Sequence, residues 1–379
     1  MREDSKRKGL LFAGTERAVY VSFDDGDRWQ SLRLNMPATS VRDLTIKDND
    51  LAVGTHGRGF WILDDITPLH QLDNNVVASN AFLFTPELAY RVRWDANTDT
   101  PLPPDEPAGQ NPPDGAIFNY YLKSAAVGPV MLEILDSAGT VVRRYSSADP
   151  VPPTDPELPI PAYWLRPPQS LSSAAGLHRF VWDMHYVPVP GMKPEYPIAA
   201  VPWNTVPAPT SPWVMPGQYS VVLTIDGQRH TQPLTIAMDP RVKTSIADLQ
   251  KQFELSKQIY DDLLALQPVV DQAASALTKL KSVRTKASGP EAAKIDAAIQ
   301  ELESLEGAEG RRRRGAQTDT LSGVHTSLME MLSVLQDVDA APTTQAAQAV
   351  PKLNQSTTSL VEQWQEIASK QLAPLKAQH

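Results

Sequence analysis

The chain repeats itself. Leu11-Phe12-Ala13-Gly14-Thr15 and Leu51-Ala52-Val53-Gly54-Thr55 match at an offset of 40 residues, and the same offset carries Tyr20 onto Phe60, Phe23 onto Leu63 and Asp24-Asp25 onto Asp64-Asp65. Each unit holds a strand ending in Gly-Thr, a tight connection, an aromatic-rich strand and an acidic turn. One such unit cannot bury its own apolar face, so units of this kind must stack. In the first unit Val19, Val21 and Phe23 alternate with Tyr20 and Ser22, the period of a half-buried strand. Asp24-Asp25-Gly26-Asp27 then supplies turn chemistry, with Gly26 free to take positive φ and short carboxylates ready to bond nearby backbone N–H groups. Trp29 opens the return strand, so residues 19–32 read as a β-hairpin with an acidic tip.

A period near 40 with several short strands per unit is the spacing of β-propeller blades. Two units are too few to close a propeller, which needs roughly four to eight. Met1 falls where the opening strand of the first unit belongs. The expectation is therefore the C-terminal region of something longer.

The motifs carry a resemblance. Ser22-Phe23-Asp24-Asp25-Gly26-Asp27-Arg28-Trp29 is similar to the Asp-box of bacterial-neuraminidase-type (BNR) repeats, S-x-D-x-G-x-T-W, with Arg28 in place of the threonine. The second unit keeps Asp64 but has Ile62 for the serine and Ile66 for the glycine, so its box is degenerate. The run from Gly54 to Asp65 resembles the last blade of large bacterial proteins known as BNR-repeat glycosyl hydrolases or sortilin-like proteins. Pro216-Gly217-Gln218-Tyr219 through Met238-Asp239-Pro240-Arg241 resembles the C-terminal part of that family. The resemblance implies an Asp-box in a structural role: Ser22, Asp24, Gly26 and Trp29 hold a rim hairpin, with Asp24 accepting N–H bonds across the turn and Trp29 packed between strands. It also implies export to the periplasm or beyond, although MREDSKRKGLLFAGTE carries too short an apolar stretch for a signal peptide.

Glycoside hydrolysis needs two carboxyl groups roughly 5–10 Å apart, and in propeller glycosidases these come from loops on separate blades. Two blades are expected not to assemble that pair. The reading is a non-catalytic region with structural and partner- or glycan-binding roles. The alternative is the accessory part of a polysaccharide-acting glycoside hydrolase whose active site lies in upstream blades.

Four segments are expected. Residues 1–94 are the last blades, including a short strand at 81–84, and residues 95–115 are a Pro-rich linker. Residues 116–241 contain short antiparallel strands, clearest at Tyr219–Ile225, Asp226-Gly227 and Arg229–Ile236, and read as an immunoglobulin- or fibronectin-like β-sandwich. Residues 242–379 change character: Ile259, Leu263, Leu266, Val270, Ala273, Leu277 and Leu280 follow alternating steps of four and three. Similar stripes run from Leu321 to Val338 and from Val350 to Ile367, with a shorter one around Ile295, Ile299 and Leu302. The expectation is an antiparallel helical bundle, with Pro268 kinking or interrupting its first helix.

Chemistry candidates are few. With 35 basic and 44 acidic residues the net charge is -9, which argues against a general nucleic-acid binder. Arg311-Arg312-Arg313-Arg314 reads as a solvated loop between helices. No cysteine is present, the seven histidines lack zinc-ligand spacing, and no phosphate- or dinucleotide-binding motif occurs, so neither metal nor cofactor is expected. No apolar run reaches the roughly 18–20 residues of a membrane span. His56 and Arg58 sit on the tight connection of the second unit, where Arg58 is expected to pin the loop through Asp64 or Asp65, the preferred reading, the alternative being a ligand contact. Asp183 and His185 are read as chance neighbours. Trp203 and Trp213 lie in a Pro-rich excursion and either cover the β core, the preferred reading, or stack on sugar rings.

Overall fold

The computed structural model describes residues 1–93, 109, 112–196, 202–203, 205, 207–307 and 319–372. The described residues form a mixed β and α molecule, with four sheets followed by a helical C-terminal third.

The first repeat unit folds as β1 (Arg2–Glu3), β2 (Leu11–Gly14), β3 (Val19–Ser22) and β4 (Gln30–Ser31), an antiparallel sheet in that order. An opening strand therefore exists, contrary to expectation. At two exposed residues β1 is too short and polar for periodicity to reveal. The second unit is β5 (Val41–Lys47), β6 (Asp50–Thr55) and β7 (Phe60–Leu63). Where the first unit has β4, the second turns into α1 (Thr67–Gln71), with Pro68 in its first turn, and α2 (Asn74–Ala78), capped by Asp73. The two sheets share one core, Phe12, Val19 and Val21 against Leu44, Leu51 and Val53. Gly14 permits this approach, because a Cβ there would lie 2.4 Å from the Val41 side chain. The other face of the second sheet is open, leaving Phe60 87% and Ile62 61% exposed.

Next come β8 (Ala81–Leu83), β9 (Ala89–Arg91), β10 (Ala116–Leu122), β11 (Met131–Leu135), β12 (Val141–Ser146), β13 (Gly176–Trp182), β14 (Gly217–Ile225) and β15 (Gln228–Met238). They form a three-stranded sheet, β13-β10-β8, and a five-stranded sheet, β12-β11-β14-β15-β9. Their facing sides bury Phe118, Tyr120, Leu132, Ile134, Trp182, Val221 and Leu223 in one cluster. Here the structure corrects the first boundary. Strand β8, expected with the blades, pairs antiparallel with β10, and β9 runs parallel to β15. The reason is burial: Leu83, 1% exposed, belongs to this core and not to the repeat units' core. The β14–β15 turn carries positive φ at both Asp226 (48°) and Gly227 (80°), the combination that matches the twist of a two-residue hairpin. Most of the 95–115 segment and all of Arg311–Arg314 lie outside the described residues.

The C-terminal third contains α3 (Ile246–Arg284), α4 (Gly289–Glu306), α5 (Leu321–Gln336) and α6 (Thr344–Ile367). Ser245, Thr320 and Thr343 cap α3, α5 and α6 by accepting from Asp248, Gly323 and Ala346 N–H groups. The apolar stripes meet in one core that includes Ile259, Leu263, Leu302, Leu328, Val350 and Leu360. Pro268 does not interrupt α3. It lies on the exposed side of the helix, and the carbonyl that loses its donor belongs to Leu264, itself exposed.

Candidate functional site

The acidic turn between β3 and β4 is closed by its own side chains. Ser22 Oγ donates to Asp24 Oδ1 at 2.9 Å and accepts from Gly26 N at 3.0 Å, and Arg28 N donates to Asp24 Oδ1 at 2.9 Å. Asp25 and Gly26 both have positive φ, 59° and 95°. The Arg28 amide and the Ser22 hydroxyl hold the Asp24 carboxyl below its ordinary pKa. A carboxylate so occupied and acidified is a poor proton donor. Trp29, expected between strands, lies partly exposed at 37%, with its indole against Gly26.

His56 and Arg58 lie exposed on the β6–β7 connection. The structure places Asp65 elsewhere than expected: its Oδ1 accepts from Thr67 N and Oγ1 close by, while its Oδ2 and its carbonyl find donors in the next sheet pair. Asn119 Nδ2 donates to Asp65 Oδ2 at 2.8 Å, and Arg179 donates to the Asp65 carbonyl at 3.0 Å. Arg179 Nε also donates to Asn119 Oδ1 at 3.1 Å, closing the set. Asp65 is 3% exposed and Asn119 4%. Asp65 is thus held by Asn119 and Arg179 rather than by Arg58, because a buried acceptor needs a donor reaching it from inside the seam. Around the same seam, burial raises the pKa of Asp64, with Asp50 adding to it, and raises that of Glu87, which accepts from Asn49 Nδ2 at 2.7 Å. Sequence reasoning missed this acidic seam, since its members are dispersed along the chain.

Trp213 and Trp203 part company. Trp213 packs on the β core, with its ring 4.2 Å from that of His185 and with the Arg91 and Arg93 guanidinium groups 5.9 and 5.6 Å from its centroid. Burial lowers the His185 pKa, and His185 Nδ1 meets the Asp183 carbonyl at 2.7 Å, a local bond without a third partner for acid–base work. Trp203 is 44% exposed and has φ 59°, a strained conformation for a bulky residue. Hydrogen bonds hold it there. Trp203 N donates to the Trp164 carbonyl at 2.7 Å and its indole Nε1 to the Tyr163 carbonyl at 3.1 Å, while Arg166 Nε donates to the Trp203 carbonyl at 2.6 Å. Tyr163, 76% exposed, and Trp164 stand edge-on at 6.5 Å in the 3-10 turn 162–164. Arg166 also pairs with Asp114 at 2.8 Å. The result is an exposed aromatic group beside a fixed ion pair. Only Trp203 of this group was singled out from the sequence. The Tyr163-Trp164 dipeptide between prolines was the overlooked signal.

Compared with known proteins, the chain matches no family model, no curated protein and no solved structure. Among the described residues, no group of three or more His, Cys, Asp or Glu is placed to hold a metal ion, and no helix is long and apolar enough to cross a membrane.

Proposed function

We propose that this chain is a non-catalytic binding and structural region of an exported BNR-repeat, sortilin-like protein. In this reading the first two sheets are propeller blades, the next two an immunoglobulin-like sandwich, and α3–α6 a helical bundle. The open face carrying Phe60 and Ile62 is where further blades pack. The carrying observation is Trp203, whose half-exposed indole donates to the Tyr163 carbonyl and so stands beside the exposed Tyr163 ring instead of being withdrawn into a core. Rigid exposed rings suit stacking on sugar faces, and the adjacent Arg166–Asp114 pair offers hydroxyl groups both donors and acceptors. The occupied Asp24 carboxylate supports a structural role for the acidic turn.

The test is affinity electrophoresis and calorimetry on xyloglucan, β-glucans and sialosides. The chain is expected to bind at least one of them, to lose that binding on Trp203→Ala, and to release no sugar. Retarded migration that survives both Trp203→Ala and Tyr163→Ala refutes the aromatic platform. Turnover abolished by a single Asp→Asn change refutes the non-catalytic reading.

A further inference from the structure

A cavity of about 600 Å³ opens between loops 155–159 and 191–196 and helices α3 and α5. It shares no residue with the Tyr163–Trp203 platform. Its volume lies within the roughly 300–1,000 Å³ typical of small-ligand sites. Met192, Met329 and Leu158 supply apolar wall, and Tyr196 an aromatic ring. Gly191, with φ +83°, brings the loop against α3, where a Cβ would stand 3.6 Å from Gln267 Nε2.

The polar groups have a definite sense. Gln267 Nε2 donates to Asp271 Oδ1 at 2.9 Å, which turns Gln267 Oε1 toward His325 Nε2 at 2.8 Å. His325 Nε2 therefore carries the proton, and Nδ1 is left as an acceptor in the neutral ring. Burial lowers the His325 pKa, which keeps the ring neutral at pH 7. Among the described residues that line the cavity, the carboxylates Asp155, Glu157 and Glu195 stand with one cation, Lys193, which pairs with Asp155 at 3.0 Å. Three carboxylates against one ammonium leave an excess of two negative charges. This excess repels an anion and attracts a cation.

We propose that this cavity binds an ammonium or guanidinium group on an alkyl stem, the chemistry shared by polyamines and by Lys or Arg side chains of peptides. The head lies between Glu157, Glu195 and the His325 acceptor, and the stem runs along Met192 and Met329 beside the Tyr196 ring. Both components matter: the carboxylates select the charge, and the apolar walls distinguish the site from diffuse surface attraction.

Calorimetric titration of the full chain with spermidine, with a blocked Lys-containing tetrapeptide and with hexanoate tests this. Saturable one-site binding of spermidine or the peptide is expected, and whichever binds identifies the source. Hexanoate, with a similar stem and opposite charge, should not bind. Glu157→Gln with Glu195→Gln, both exposed and safe for folding, should weaken binding by about fivefold or more. Met329→Trp, which fills the cavity, should abolish it, with circular dichroism checking the fold. The proposal falls if neither cation binds at millimolar concentration, if hexanoate binds equally well, or if the double Gln variant or a folded Met329→Trp variant binds spermidine like the parent.

Discussion

Arg91 donates to Asp339 Oδ1 at 2.6 Å across a separation of 248 residues, and both side chains are only 4% exposed. Arg93 donates to the same oxygen at 2.8 Å. Arg91 ends β9, and Asp339 follows α5, so one buried carboxylate fastens the helices to the five-stranded sheet. Neighbouring bonds reinforce the seam: Trp213 N donates to Gln336 Oε1 at 2.9 Å, Gln336 Nε2 to Ser256 Oγ at 2.8 Å, and Tyr260 to the Val187 carbonyl at 2.8 Å. Among the described residues the Nε atoms of Arg91 and Arg93 have no partner, so the cluster is costly to bury and costlier to break.

Asp339→Ala should therefore destabilise the chain by about 3–5 kcal/mol, because it strands the buried Arg91 guanidinium and takes a partner from the partly exposed Arg93. Replacing Arg91 and Asp339 together by Met and Leu should cost less than Asp339→Ala alone. Urea denaturation of the three proteins checks the order. A loss under about 1 kcal/mol for Asp339→Ala would show the seam to be solvated.

Gly26→Val should cost more than about 1 kcal/mol. The nearest atoms to an added Cβ are Leu11 Cδ1 at 3.6 Å and Trp29 Cζ2 at 3.8 Å, so there is room, and the penalty comes from φ +95°. Hydrogen exchange at the Arg28 amide should accelerate in step with the fall in melting temperature. An unchanged melting temperature would remove the positive-φ requirement.

Asp262 lies inside the helical core, where its Oδ1 accepts from Asn354 Nδ2 at 2.7 Å and its Oδ2 has no partner among the described residues. Burial raises its pKa to about 6. The folded state then holds this proton more tightly than the unfolded chain does. The resulting stability is full below the unfolded pKa of about 4 and is lost as pH rises through about 6, a change of at most about 3 kcal/mol. Asp262→Asn should remove that slope and raise stability at pH 7.5. Parallel pH–stability curves for the two proteins would contradict this.

The segment 242–379 should be helical and melt cooperatively when made alone, since its buried core consists almost entirely of its own residues, Val189 being the buried contribution from outside. Its melting temperature should fall below that of the helices in the full chain, because the Asp339 and Gln336 partners are gone. A broad transition with strong dye binding would reject an autonomous helical unit.

What the sequence determined by itself was local. The acidic turn closes through partners no more than four residues apart, Ser22 to Gly26 and Asp24 to Arg28, so its spacing alone specifies it. The helices follow from a stripe of period 3.5–3.6 and from caps at Ser245, Thr320 and Thr343, and the β14–β15 hairpin from Asp226-Gly227. Tertiary structure decided what no local period encodes. It moved β8 and β9 from the repeat units to the following sheets, because Leu83 and Ala89 have their burial there. It gave Asp65 to Asn119 and Arg179 rather than to Arg58, and it brought Asp155 and Glu195 together with His325 around one cavity. A buried polar atom takes whichever donor the packed chain presents. At separations of 54 to 248 residues, that choice depends on how the sheets and helices dock and not on the spacing of residues along any one of them.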